Sequence, residues 1–181
     1  GAPATLPAPA FGSSDLMGLN GSGRFSSNDP RIALTPPPPL PTVAAPLTVR
    51  QILVKAATDQ GVDPNLLLAV SYWESGWMQD RVSDQGAVGL LQVMPKTALT
   101  AGPNLLHREV NIGDPVDNAE VGAALLKDLL NKYGTRTALA AYYQGEPALL
   151  SGRYAGDTWR YADGIITLAA QIAAGQGPPA T

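Results

Sequence analysis

Apolar residues recur at helical spacing from Thr48 almost to the end of the chain, and no stretch shows convincing strand alternation. Thr48 with Gln51 has the form of a capping box, and the helix it opens should stop at Gly61. Asp63 followed by Pro64 reads as an N-cap and first-turn pair opening "PNLLLAVSYWES". That run is apolar enough to be a buried helix. Gly76 and the cluster "SDQG" at 83–86 predict a loop, with a short helix over Gly86–Met94 and another from Pro95, "PKTALTA". Residues 115–132 place Ala119, Gly122, Ala123, Leu126, Leu130 and Tyr133 on one face, with Asp128 and Lys132 as an i, i+4 pair on the other. "TRTALAAYYQ" should end before Gly145. A last helix over roughly 158–174 is expected to turn Trp159, Ala162, Ile166 and Ala169 inward. The expectation is an all-α domain over residues 47–175, with several short helices around one core.

Composition changes near residue 47. Ten of the 17 prolines precede it, including "TPPPPLPT" at 35–42. Residues 1–46 therefore read as a Pro/Gly/Ser-rich linker or extended segment, the proline tract being a semi-rigid polyproline II spacer. Phe11, Leu16 or Ile32 could still dock on the domain, and 176–181 reads as a frayed tail.

The chain has 181 residues and a net charge of −3, which gives no support for nucleic-acid binding. It has no cysteine, which excludes disulfides, thiolate metal sites and cysteine nucleophiles. His107 is the only histidine, and "NLLHREV" reads as an ordinary loop or short helix, so His107 is expected to be an exposed polar residue. No metal or cofactor is expected. No apolar run approaches the ~20 residues of a membrane-spanning helix. No signal peptide is visible in this chain, as expected of a mature or a trimmed form.

Glu74 carries the candidate chemistry. With Leu67 and Val70 it follows i, i+3, i+7 spacing, at the edge of a buried stripe beside Trp73. Desolvation there raises a carboxyl pKa, as a general acid for glycoside cleavage requires. A Glu turned to solvent, or paired with Arg81, fits the same periodicity.

The stretch "ESGWMQDRVSDQGAVGLLQVMPKTA" resembles the signature of the soluble lytic transglycosylase catalytic domain, which has a lysozyme-like α fold. The matches are Glu74-Ser75-Gly76, Ser83 with Gly86-Ala87 and Gly89, then Gly89 to Pro95 and Thr97-Ala98, with Leu91 in a methionine slot. Downstream, Asp114, Pro115, Asn118 and Gly122 match a D-P-x-x-N-I-x-x-G helix. Tyr142 and Gly145 match A-Y-N-x-G, and Thr158 and Tyr161 match E-T-x-x-Y-V. Tyr143, Asp157 and Ala162 depart from Asn, Glu and Val of those patterns.

The resemblance implies cleavage of the β-1,4 bond between N-acetylmuramic acid and N-acetylglucosamine in peptidoglycan. Glu74 would be the single acid and base, closing a 1,6-anhydro ring. Tyr142 would hydrogen-bond and orient Glu74. Ser83 would position Glu74 or an N-acetyl group, Gln92 would bond sugar amides or hydroxyls, and Met94 would wall a ring face. Ser75 either faces substrate or satisfies backbone. Tyr161 lines the cleft or packs, and Tyr143 and Gln144 are cleft-edge residues by position. Trp73 and Trp77 could stack sugars, though Trp73 is expected in the core. Glycan strands would be the partner of a monomer acting outside the cytoplasmic membrane. An inverting lysozyme would need a second carboxylate, for which Asp80 and Asp84 are nearest in sequence. A non-catalytic glycan-binding module is the remaining alternative.

Overall fold

A computed structural model describes residues 46–179. Apart from Pro46, the expected linker, with Phe11, Leu16 and Ile32, lies outside the described residues, as do the last two residues of the tail. Thr48 caps α1 (Val49–Gln60) through the expected box with Gln51, and Gly61 closes it at φ +65°. Asp63 caps α2 (Pro64–Ser75), its carboxylate accepting from the Asn65 N–H. Then follow α3 (Pro95–Ala101), one π-helical turn over Gly102–Leu106, α4 (Pro115–Lys132), α5 (Thr135–Gln144), α6 (Glu146–Leu150) and α7 (Thr158–Ala173). His107 caps the π turn in the left-handed region and is exposed.

The core forms where α2 passes between its neighbours. Leu66 to Ser71 are buried in an unbroken run, as expected of a helix covered on every side. α1 and α7 pack against α2, α4 packs against α1, and α5 lies between α4 and α7. Leu53, Leu67, Val70, Leu126 and Ile165 are fully enclosed. A smaller apolar cluster joins Leu129, Ala138, Ala141 and Leu149 beneath α6.

Two expectations need correction. Residues 86–94 form no helix. They make tight turns with isolated antiparallel bridges, Val82 to Val88 and Val88 to Val93. Gly86 and Gly89, at φ +87° and +78°, are left-handed positions that break a helix. In α7 the buried face is Tyr161, Ala162, Ile165, Leu168 and Ile172, so Ile166 points outward and is 38% exposed. Trp159 and Ala169 are only half-buried. The observed face carries the larger apolar side chains, Tyr161, Ile165, Leu168 and Ile172, whereas the neighbouring face centred on Ile166 includes Asp163.

The irregular segment after α2 is held by polar side chains from the core. The Ser71 and Ser75 hydroxyls both donate to the Leu90 carbonyl, at 2.9 and 3.0 Å. Asn118 on α4, fully buried, accepts from the Leu91 N–H and donates to the Val88 and Ile112 carbonyls. Gln79 accepts from the Leu90 N–H and donates to the Ile112 carbonyl. A loop without a ladder thus has its backbone groups satisfied, as burial demands.

Candidate active site

Glu74 lies in the last turn of α2, where the buried helix reaches the surface. Tyr72 and Trp73 are exposed, Glu74 is half-buried and Ser75 is fully enclosed. Gly76 then ends the helix at φ +65°, and Trp77 continues the reversal at φ +64°, its indole N–H donating to the Leu68 carbonyl. Glu74 opens onto a cleft of about 450 Å³ whose walls include Ser83, Asp84, Gln92, Met94, Tyr142 and Tyr143. The loop segment supplies one wall and α5 the other.

Desolvation pushes the Glu74 carboxyl above the usual carboxylate range. It outweighs two opposing effects, the hydrogen bond from Tyr161 and the attraction of Arg81. The Tyr161 hydroxyl donates to Glu74 Oε1 at 2.5 Å. Burial and the nearby carboxylate hold the Tyr161 phenol well above its ordinary range, so it stays a donor.

The tyrosine that orients Glu74 is therefore Tyr161, from α7, where the resemblance pointed to Tyr142. The Tyr142 hydroxyl donates instead to the Leu91 carbonyl at 2.9 Å, pinning the loop to α5. Its ring still lines the cleft, and burial followed by the Glu74 charge pushes its phenol upward. Tyr143 stacks on Tyr161 with centroids 4.6 Å apart and donates to Asp157 at 2.6 Å. Asp157, the replacement for Glu in the family pattern, thus anchors the tyrosine that replaces Asn.

Other expected site residues divide clearly. Ser83 and Met94 line the cleft, and the Ser83 hydroxyl accepts from the Ala87 N–H. Gln92 lines it too, but its amide donates to the Arg81 and Gly89 carbonyls. Only its oxygen is left without a partner among the described residues. Those bonds hold Gln92 at φ +47°, a conformation uncommon outside glycine. Ser75 is not a substrate contact, because its hydroxyl is buried on the Ser71 and Leu90 carbonyls. Gln144 does not line the cleft. Its oxygen accepts from Thr158 and the Ala155 N–H, and its amide donates to the Arg153 carbonyl, tying the 151–157 loop to α5 and α7. Trp73, expected in the core, is 46% exposed. Asp84 lines the cleft and Asp80 does not.

Sequence reasoning gave no role to Asn118 or Gln79. The available signal was an amide within the apolar face of the helix 115–132. Among the described residues no cluster of His, Asp or Glu could hold a metal ion.

These features define an all-α domain of lysozyme-like build, with one desolvated carboxyl at the floor of an open cleft. The profile of the transglycosylase SLT domain matches residues 51–156, and the chain belongs to that family. Among curated proteins, a transglycosylase of Enterobacteria phage PRD1 is 40% identical over 91 residues, 50% of this chain and 32% of that protein. Membrane-bound lytic murein transglycosylase F of Cellvibrio japonicus is 31% identical over 121 residues, 60% of this chain and 23% of that one. The chain thus spans a third or less of these relatives. The fold matches an inactive mutant of lytic transglycosylase Slt from Pseudomonas aeruginosa, with a TM-score of 0.61 and 23% identity over 73% of this chain and 25% of that one. It also matches the Escherichia coli 70-kDa soluble lytic transglycosylase, with a TM-score of 0.61 and 20% identity over 74% of this chain and 25% of that one.

Proposed function

We propose that the domain is a peptidoglycan lytic transglycosylase acting on the N-acetylmuramic acid to N-acetylglucosamine bond. The observation that carries this reading is the Glu74 carboxyl, raised by desolvation, oriented by Tyr161 and open to a cleft. Family membership and relatives named murein transglycosylases support the substrate class. Glu74 in its protonated form gives its proton to the leaving glycosidic oxygen. The resulting carboxylate then takes the proton of the muramic C6 hydroxyl, whose oxygen attacks C1 and closes a 1,6-anhydro ring. The substrate supplies the nucleophile, so one carboxyl serves both steps, unlike the two-carboxylate scheme of ordinary glycosidases. Ser83 and the free Gln92 oxygen are positioned for N-acetyl and hydroxyl groups, and Met94 for an apolar ring face. The working protein is proposed as a monomer located where its glycan substrate lies, outside the cytoplasmic membrane. Among the described residues no helix is long and apolar enough to cross a membrane.

Asp84 on the same cleft keeps an inverting hydrolysis as the second reading. Mass spectrometry of products from purified peptidoglycan in ¹⁸O-labelled water separates them. Anhydro-muramic ends, absent with Glu74→Gln and retained with Asp84→Asn, are expected. Reducing ends carrying the label and lost with Asp84→Asn would establish hydrolysis instead. Binding by both wild type and Glu74→Gln without any product would leave a glycan-binding module.

A further inference from the structure

On the side of Tyr161 away from the cleft, α2 and α7 enclose a second, shallower groove of about 570 Å³. Tyr72 and Trp73 form its aromatic wall, and Arg160, Asp163 and Gln171 its polar rim. A Cβ on Gly164 would stand 2.2 Å from the Trp73 ring, so the indole is seated directly against the α7 backbone, where only glycine leaves room. Its inner edge meets Tyr161 in a T-shaped contact with centroids 6.3 Å apart. Seated there, it remains 46% exposed. The Asp163 carboxylate is engaged by Arg136. Arg160 and Gln171 make no ion pair or side-chain hydrogen bond among the described residues, and their donors are left to the groove.

Burying an indole of this size in the core would be favourable, and the sequence pattern led to that expectation. Its placement on the surface, on a glycine seat and beside unpaired hydrogen-bond donors, instead suits a ligand with one apolar face and hydroxyl or amide edges. A pyranose ring with an N-acetyl group has that form. Tyr161 joins the two sites physically. Its hydroxyl reaches Glu74, Tyr143 of the cleft stacks on its ring, and Trp73 abuts its edge.

We infer that the Trp73–Arg160 groove is an extension of the Glu74 cleft that binds sugar rings of the same glycan strand beyond those flanking the cleaved bond. This inference rests on the proposed peptidoglycan activity and adds a specificity for strand length. Trp73 supplies the stacking face, Tyr72 the adjoining wall, and Arg160 with Gln171 the polar contacts.

The test uses the full chain carrying Glu74→Gln, with β-1,4-linked N-acetylglucosamine trimer and hexamer as probes in calorimetric titration. The hexamer is expected to bind more tightly than the trimer. Adding Trp73→Gln should weaken hexamer binding by about tenfold, equivalent to about 1.4 kcal/mol, and leave trimer binding unchanged. Trp73→Phe should recover part of the loss. Indole emission should shift with hexamer, and the shift should vanish in Trp73→Gln with Trp77 and Trp159 still in place. Equal hexamer affinity with and without Trp73 would overturn the extension while wild-type cleavage of peptidoglycan still upheld the cleft. A wild-type protein that releases no product from peptidoglycan would overturn both. An equal loss for trimer and hexamer would mean that Trp73 supports the fold or Tyr161, and would overturn the length specificity.

Discussion

At Glu74 the costs of burial and the gain from one hydrogen bond oppose each other, and burial is the larger. Its folded-state pKa is raised, so the charged form destabilises the native state above that pKa. That penalty fades as pH falls through the folded pKa toward the unfolded value of 4.5. Glu74→Gln is therefore expected to raise the melting temperature at alkaline pH, with the difference closing as the solution becomes acidic. Calorimetric scans across that range check the sign. In the proposed reaction the protonated form is the acid, so the rate should decline as pH rises past the same pKa. Tyr161 stabilises the carboxylate, and Tyr161→Phe should move that decline to higher pH. It should also lower kcat by roughly tenfold, because the carboxyl loses its fixed direction. A pH–rate profile of the variant reads both effects.

Between elements, the decisive contact is the irregular 76–94 segment against α4. Asn118 bonds three backbone groups, those of Val88, Leu91 and Ile112, and for the Leu91 N–H it is the only partner among the described residues. Asn118→Ala would leave the Leu91 N–H buried and unpaired, while the Val88 and Ile112 carbonyls keep the Val93 N–H and Gln79, and a loss of about 1–3 kcal/mol is expected in urea unfolding. Leu91 lies directly on Gly122, where a Cβ would stand 2.3 Å from its Cδ1. Gly122→Ala should cost about 1–3 kcal/mol by overpacking. It should also displace the wall carrying Gln92 and Met94, so kcat/KM falls more than stability alone explains. These substitutions act on the active site without touching it.

Over the whole molecule, rigidity is unevenly distributed. The main core binds α1, α2, α4, α5 and α7, while α6 contributes only Leu149 to a small satellite cluster. The 151–157 loop is exposed and relies on Gln144 for two anchoring bonds, at Arg153 and Ala155, with a third to Thr158 where α7 begins. Gln144→Ala is expected to speed hydrogen exchange across 151–157 and to lower the melting temperature modestly, since it also removes the acceptor of the buried Thr158 hydroxyl. Slower turnover would follow, because Asp157 sits on that loop and anchors Tyr143 of α5 at the cleft. With no cysteine in the chain, and no metal-competent cluster among the described residues, reductant and chelator should leave both melting temperature and activity unchanged. A paired thermal scan with and without each reagent tests this.

Local chemistry determined most of the helix ends. The Thr48–Gln51 box, Asp63–Pro64, Gly61, Gly76 and Gly145 act through contacts within a few residues, and their effects were legible in sequence. The spacing of Glu74 set it at a helix end one turn from Val70, but a solvent-facing or Arg81-paired carboxylate fitted the same periodicity, and its desolvation came from the tertiary packing. Only tertiary structure decided which tyrosine reached it. Tyr142 and Tyr161 lie on different helices, and their hydroxyls travel to Leu91 and Glu74 because of how α5 and α7 cross α2. The same holds for Trp73, whose place depends on a glycine 91 positions later in the chain, and for Ser75 and Gln144, whose polar groups were taken by backbone brought in from afar. Helix-end signals are short-range and nearly independent. The pairing of polar groups depends on which backbone arrives beside them, and that is a property of the folded chain.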